Sequence, residues 1–285
     1  MSILQAIIIG LAQGVTELFP ISSLGHSVII PRLLGWNIHQ NDPYFLTFLV
    51  ATHLATATVL FVFFWRDWVE VIKGLARSLA ARDIKKDDTY AKLGWLLVVA
   101  TVPAGMLGLL FEQPLRRVFA SARIAAAFLI LNGCILLMAE KLRKRANKQT
   151  SREQSDAHIA KLGWAQAVGI GAAQAGALFP GISRSGASMA GSLLAGLNNE
   201  DAARFSFLLA TPIIGAAACL KLPELFQPSV AHLRGAIVVG SLCAAVTAFL
   251  SVRFLVKYFQ TNTMRPFAIY CLGGGAVYSL ILLMR

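Results

Sequence analysis

Charged residues are scarce in this sequence. Asp, Glu, Lys and Arg make up 14% of its 285 residues and hydrophobic residues make up 56%, whereas soluble domains carry about 25% charged residues. Long apolar runs recur from end to end, and they are more continuous than the alternating strands, about 10 residues each, of a membrane β-barrel. The composition excludes a sizeable soluble domain and predicts an all-α polytopic membrane protein.

Cysteine and acidic residues are also few. The four Cys residues lie scattered through apolar runs without disulfide or metal-binding spacing, so we expect them only to pack.

No Lys or Arg precedes the first apolar run, and we therefore expect no cleaved signal peptide. The net charge of +12 would suggest nucleic acid in a soluble protein. Here the basic residues cluster between apolar runs, so we predict no nucleic-acid partner.

Six apolar runs are long enough to cross a bilayer, which takes about 20 residues. They are, approximately, 44–65, 93–111, 122–140, 202–221, 234–256 and 265–284. The connections 66–92, 141–161 and 253–265 hold 17 of the 26 Lys and Arg residues, against seven on the opposite side. The positive-inside rule places these connections in the cytoplasm and both termini outside.

Two further apolar stretches, 2–36 and 163–198, are each interrupted midway by polar residues, proline and glycine. Irregular backbone at membrane depth requires cover from protein or from a cavity. The pattern predicts two re-entrant helix hairpins, each of which enters and leaves the membrane on one side.

The chain also repeats itself. QGVTELFPISSLGH at 13–26 and QAGALFPGISRSGAS at 174–188 share their order of Gln, Phe-Pro, Ser and Gly. Each half, about 1–145 and 160–285, then holds one hairpin and three spans. Three is an odd number, so we predict an inverted repeat whose hairpin tips meet near the midplane. Transporters place their sites at such broken helices, so this architecture by itself does not indicate an enzyme.

The first motif carries Gln13 and Glu17 on one helical face, four residues apart. Ionisable residues at membrane depth are functional candidates by default. We predict that Glu17 is a general base or, together with Gln13, a ligand of Mg²⁺ or Ca²⁺. The alternative is a carboxyl that reaches the membrane surface.

Two serines and a histidine follow in the same motif. Ser23 and His26 are three residues apart, and we predict a nucleophile with its base. Ser22 is expected to cap the next helix. If water attacks directly, Ser23 would instead bind phosphate, and His26 or Glu17 would be the base. Three other polar residues are expected to pack or to lie at the rim, with a place in the cavity wall left open for each: Thr52, His53 and Arg204.

The second motif, PGISRSGAS at 180–188, has the features of a phosphate site. Its glycines allow close backbone approach, the next helix can present free N–H groups, and Arg184 offers a planar fork of donors. The predicted substrate-binding residues are Gln13, Ser22, Gly181, Ser183, Arg184, Ser185 and Ser188. The alternative for Arg184 is a plain ion pair with Glu17.

These two motifs resemble those of the undecaprenyl pyrophosphate phosphatases, also known as bacitracin-resistance proteins. The first motif matches at Glu17, Pro20, Ser22-Ser23, Gly25 and His26, and the second at Pro180-Gly181, Ser183-Arg184-Ser185 and Ser188. Gln13 stands where the family often has Glu, which puts a two-carboxylate metal site in doubt. Ser188 replaces Thr and keeps the hydroxyl.

The resemblance implies a phosphatase of the bacterial cytoplasmic (inner) membrane. It would remove the terminal phosphate of undecaprenyl pyrophosphate, usually with a divalent cation, and return the monophosphate carrier lipid to cell-wall synthesis. The expected partners are this lipid and the membrane. A homodimer with a second copy of the chain is left open. A transporter or lipid flippase is the alternative. A permease needs an anion site but no nucleophile and base. A structural scaffold would leave the buried polar groups unexplained.

Overall fold

A computed structural model describes residues 1–38, 42–111, 121–142 and 152–284, and in these ranges the chain is helical, with no β-strand. The first part of the chain forms helices α1 (Ile3–Thr16), α2 (Ser23–Leu33), α3 (Pro43–Phe63), α4 (Trp65–Ala81), α5 (Thr89–Leu110) and α6 (Ala122–Leu142). The second part forms α7 (Arg152–Ile159), α8 (Trp164–Ala175), α9 (Arg184–Leu194), α10 (Asn199–Lys221), α11 (Arg234–Tyr258) and α12 (Arg265–Leu283). Part of the predicted connection 141–161 lies outside the described residues.

Five helical segments in the described ranges are long and apolar enough to cross a membrane. They coincide with α3, α5, α6, α11 and α12, and with five of the six predicted spans. The remaining predicted span, 202–221, falls on α10, which is helical but is not among the five. Its first turn carries Glu200 and Asp201. The fold is therefore that of a polytopic helical membrane protein.

Both predicted helix–break–helix segments are present. The first consists of α1, with 14 residues, and α2, with 11. The second consists of α8, with 12, a short 3₁₀ turn, and α9, with 11. At a rise of about 1.5 Å per residue none of these helices covers the roughly 30 Å of bilayer hydrocarbon. The backbone at the breaks takes positive φ angles at Ser22 (71°) and Gly181 (106°).

Glycines bring the hairpins close to the long helices. A Cβ on Gly10 of α1 would lie 2.3 Å from the backbone oxygen of Gly240 in α11. A Cβ on Gly171 of α8 would lie 2.3 Å from the backbone oxygen of Ala100 in α5. Membrane helices associate through such small residues, because apolar side chains gain little from leaving lipid. Each hairpin is thus packed against a long helix from the other half of the chain.

The amphipathic helix α4 is anchored through buried charges. Arg204 of α10 pairs with Asp67 of α4, and its Nε donates to Asp156 of α7 over 2.9 Å. On the same side of the molecule, Asp201 accepts from the hydroxyl of Ser155. Arg204 therefore packs three helices together, in agreement with its expected packing role.

Candidate active site

The two broken helices meet tip to tip. The backbone N–H of Gly181 donates to Ser22 Oγ over 3.2 Å, and Ser185 Oγ donates to the carbonyl of Phe19, also over 3.2 Å. A Cβ on Gly25 would lie 2.9 Å from the Cα of Gly181, so the two loops are in backbone contact. The predicted meeting of the two motifs is present in the structure.

Asn132 of α6 holds both loops at once. Its Nδ2 donates to the carbonyl of Pro20 over 2.9 Å, and its Oδ1 accepts from the backbone N–H of Ser183 over 3.0 Å. The side chain is fully buried. Because an unpaired backbone group is costly at membrane depth, this amide fixes the relative position of the two tips. One signal for Asn132 is visible in the sequence, since it is a lone amide in an apolar run.

Glu17 lies at the centre of the site. Ser23 Oγ donates to Glu17 Oε2 over 2.5 Å, and Gln13 Nε2 donates to the same oxygen over 3.1 Å. Arg184 Nη2 lies 3.1 Å from Glu17 Oε1. Glu17 is 5% exposed, so the carboxylate is buried and paired rather than reaching the membrane surface.

The ion pair considered as an alternative for Arg184 does form, but it does not use the whole guanidinium. Nε and Nη2 both point at Glu17 Oε1. Nη1 is buried, and among the described residues it has no hydrogen-bond partner. Arg184 therefore holds the first motif and still has a free donor nitrogen for an anion.

His53, which was expected to pack, to lie at the rim or to line the cavity, is a site residue. Its Nε2 lies 3.3 Å from Glu17 Oε2, and its Nδ1 lies 2.7 Å from the carbonyl oxygen of Leu49. The signal that could have found it was present: an imidazole inside an apolar run is a functional candidate by default. Because His53 lies outside both motifs in the sequence, its contact with Glu17 could not be predicted from them.

His26 contacts neither Ser23 nor Glu17 in this structure. Its Nδ1 lies 2.7 Å from the carbonyl oxygen of Ser22, and its Nε2 lies 2.8 Å from the hydroxyl of Tyr270 on α12. The structure thus places the Ser23 hydroxyl on Glu17 rather than on the imidazole that was expected. Ser22 caps α2 through the N–H of Gly25, as predicted.

The hydroxyls of the second motif serve mostly as internal supports. Ser183 Oγ caps α9 by accepting from the N–H of Gly186. Ser183 and Ser185 bond to each other over 3.0 Å. Ser188 Oγ bonds to Ser206 over 2.6 Å and donates to the carbonyl of Arg184. These contacts hold the start of α9 rigid beside Arg184.

The side chains of the site offer a divalent cation only part of a coordination shell. The described residues contain no group of three or more His, Cys, Asp or Glu side chains placed to hold a metal. However, Gln13 Oε1 is buried and has no hydrogen-bond partner among the described residues, while the nitrogen of the same amide donates to the carboxylate of Glu17. The amide oxygen and the carboxylate are ligands of the kind that Mg²⁺ and Ca²⁺ take, although two such groups do not complete the coordination shell of either ion. A cation would therefore draw further oxygens from substrate or water.

The fold and the site together define a helical membrane protein with a buried polar site. A carboxylate, a serine hydroxyl and an arginine with a free nitrogen meet where two broken helices join. The family model for the bacitracin resistance protein BacA matches residues 6–277. The chain belongs to this family.

Relatives over the full length agree with this assignment. An undecaprenyl-diphosphatase of Mycolicibacterium paratuberculosis is 47% identical, and the alignment covers 97% of this chain and 96% of the relative. An undecaprenyl-diphosphatase 2 of Chromobacterium violaceum is 43% identical over 97% of this chain and 98% of its own length. A protein of the same name from Frankia alni is 42% identical over 96% of both chains.

Proposed function

We propose that the protein is a membrane phosphatase that hydrolyses undecaprenyl pyrophosphate to undecaprenyl phosphate and phosphate. This activity recycles the cell-wall carrier lipid and accounts for bacitracin resistance. The observation that carries the proposal is the contact of Glu17 with both Ser23 and Arg184 at the junction of the two motifs. Full-length relatives named undecaprenyl-diphosphatase support it.

The direct test is phosphate release from undecaprenyl pyrophosphate by the purified protein in detergent. We expect release in the wild type and none in Glu17→Gln, which keeps the shape of the side chain but cannot accept a proton. An exposed acidic residue, Glu70, gives the matched control Glu70→Gln. No release by the wild type, together with movement of labelled lipid across proteoliposomes, would instead favour the transporter.

Substrate binding rests on Arg184. Its unpaired Nη1 would bind the terminal phosphate while Nε and Nη2 stay on Glu17. Arg is suited to this role because its planar fork serves two partners at once. The other predicted binding residues, Gln13, Ser22, Gly181, Ser183, Ser185 and Ser188, would hold the two loops and the start of α9 around that phosphate.

For the attack we propose Ser23 as the nucleophile and Glu17 as its base, because their hydrogen bond already exists. Ser23 Oγ forms a bond to the terminal phosphorus, the bridging P–O bond breaks, and the lipid monophosphate leaves with the electron pair. The serine proton passes to Glu17. The result is a phosphoserine at position 23 with the protonated carboxyl of Glu17 beside it.

His26 would act in the second step. A water bonds to the phosphorus of the phosphoserine and the bond to Ser23 Oγ breaks. His26 Nε2 takes the proton of the water, and Glu17 returns a proton to the serine oxygen. His53, beside Glu17, would hold the carboxylate in place through both steps.

For the cofactor we propose Mg²⁺ or Ca²⁺ held by Glu17 and by the free oxygen of Gln13. When bound there, the cation would offset the negative charge of the pyrophosphate. Gln13 would then orient the carboxylate with its amide nitrogen and the cation with its oxygen.

For the architecture we propose six spans, with α10 as the sixth, and two inverted halves with re-entrant hairpins. The matched glycine contacts support the repeat: α1 meets α11 at Gly10, and α8 meets α5 at Gly171. Each of these glycines lies three residues before the Gln of its motif. In this arrangement both termini face outside the inner membrane. Cysteine accessibility at Ser2 in intact cells tests the orientation, and labelling confined to broken cells would contradict it.

A further inference from the structure

His26 is held in one tautomer by its surroundings. Its Nδ1 faces the carbonyl oxygen of Ser22, which can only accept, so Nδ1 carries the proton. In the neutral ring the lone pair is then on Nε2. Nε2 lies 2.8 Å from the hydroxyl of Tyr270. The basic nitrogen of His26 therefore faces α12 and not the serine three residues before it.

The rings of α12 also fix the plane of the imidazole. Tyr270 stacks on His26 with ring centroids 5.8 Å apart and an interplanar angle of 15°. Tyr278 meets the same imidazole edge-on, at 6.4 Å and 87°. Within the described part of the chain, Tyr270 makes the one side-chain hydrogen bond to His26. His26 is 4% exposed and Tyr270 is 39% exposed, so the pair joins the buried site to the outer face of α12.

A phenol suits a base that changes its protonation state. Its O–H donates to Nε2 while the imidazole is neutral, and its oxygen accepts from Nε2–H after the imidazole has taken up a proton. The imidazole can therefore keep one orientation in both states. A hydrogen-bond partner with only one of these capacities would favour a flipped ring in the other state.

We propose that Tyr270 is a positioning residue for His26 in the hydrolysis. Its ring fixes the imidazole plane, and its hydroxyl holds Nε2 on the α12 side. In the reaction, the oxygen of the attacking water would take the place of this hydroxyl as the partner of Nε2. This inference rests on the proposed function, since His26 needs a proton to move in that reaction. It extends the site to α12, where Tyr270 lies 244 residues after His26.

The test is Tyr270→Phe, which keeps the ring stack and removes the hydroxyl. One hydrogen bond supports a fall in kcat of roughly 2- to 10-fold, with KM within about twofold of the wild type. The pH at which kcat is half-maximal should move by about half a unit or more, because the hydroxyl interacts differently with the two protonation states of His26. Tyr44→Phe is the matched control, since Tyr44 also packs against a histidine, His232, which lies outside the site.

Folding is monitored by the elution volume and Tm of the detergent-solubilised protein. If Tyr270→Phe is unstable, Tyr270→Gln and Tyr270→Met replace it. They match in length, and only Gln can bond to Nε2, so Gln should retain the higher kcat. A wild-type kcat and pH profile in Tyr270→Phe, or equal kcat in the Gln and Met variants, would overturn the inference. Failure of the wild type and of Tyr44→Phe to release phosphate would instead overturn the proposed function.

Discussion

The two hairpins have similar sequences and different contents. The first carries Glu17, Ser23 and His26, the groups that can move protons or attack phosphorus. In the second, no carboxylate lies between Gln174 and Phe179, and Arg184 with its supporting hydroxyls is present instead. On the proposed function, the repeated motif therefore carries the reacting groups in its first copy and the anion-binding groups in its second.

The same division continues into the following helices. Phe48-Leu-Val-Ala-Thr52 in α3 is followed by His53, which lies beside Glu17. The matching run Phe207-Leu-Leu-Ala-Thr211 in α10 is followed by Pro212. The first half therefore has an imidazole where the second has a proline inside the helix. A permease needs an anion site but no nucleophile with a base, so the reacting groups of the first half favour the enzyme.

Changes at Ser23 should have the largest effect. Ser23→Ala removes the proposed nucleophile, and we expect kcat to fall on the order of a thousandfold or more, with little change in substrate binding. Ser22→Ala is the matched comparison and should cost less activity, since it removes a helix cap worth about 0.5–2 kcal/mol of stability and the bond from Gly181, but no reacting group. Substantial turnover in Ser23→Ala, with no phosphoenzyme trapped by acid quench, would assign the attack to water.

Arg184 tests the other side of the comparison. Arg184→Ala removes the proposed phosphate donor and leaves Glu17 without its charge partner, which costs about 2–5 kcal/mol, or roughly 30- to 5,000-fold in kcat/KM. We expect KM to rise as well as kcat to fall, unlike in Ser23→Ala. Arg184→Lys should restore little activity because the fork is lost. Arg234→Ala, at an exposed arginine, is the control. Unchanged KM in Arg184→Ala would contradict the division between the halves.

Cation removal should have an intermediate effect. We expect EDTA to lower turnover by roughly tenfold or more and Mg²⁺ or Ca²⁺ to restore it. Gln13→Glu adds a second carboxylate and should lower the Mg²⁺ concentration needed for half-maximal activity. Gln174→Glu, at the equivalent residue of the other hairpin, should not. Undiminished activity in metal-free buffer would leave Glu17 as a base alone.

The glycine contacts should give the smallest effect. Gly171→Ala pushes a Cβ against the backbone of Ala100, and we expect a loss of about 1–3 kcal/mol of stability, seen as a lower Tm in detergent. Gly169→Ala, two residues away with nothing within 4 Å, should be neutral or slightly stabilising. Gly10→Ala should resemble Gly171→Ala if both hairpins pack alike. Equal Tm values for the two α8 variants would show that this close contact does not limit stability.

Sequence alone determined the class of the fold and the location of the site. Continuous apolar runs predicted the membrane helices, because a span has a minimum length and tolerates few charges. Two interrupted runs with a carboxylate, serines and an arginine predicted the site, because such groups are costly in hydrocarbon unless they serve a purpose. The cap at Ser22 followed from its position beside the break.

Only the tertiary structure decided which side chains touch. The i, i+3 spacing suggested that Ser23 pairs with His26. In the structure, the turn between α1 and α2 lets the Ser23 hydroxyl donate to Glu17. The imidazole of His26 bonds instead to Tyr270 of α12. His53, Asn132 and Tyr270 come from three other helices. Their roles depend on helix packing in space, which local periodicity does not specify. Sequence spacing predicts neighbours within one helix, whereas this site lies between helices.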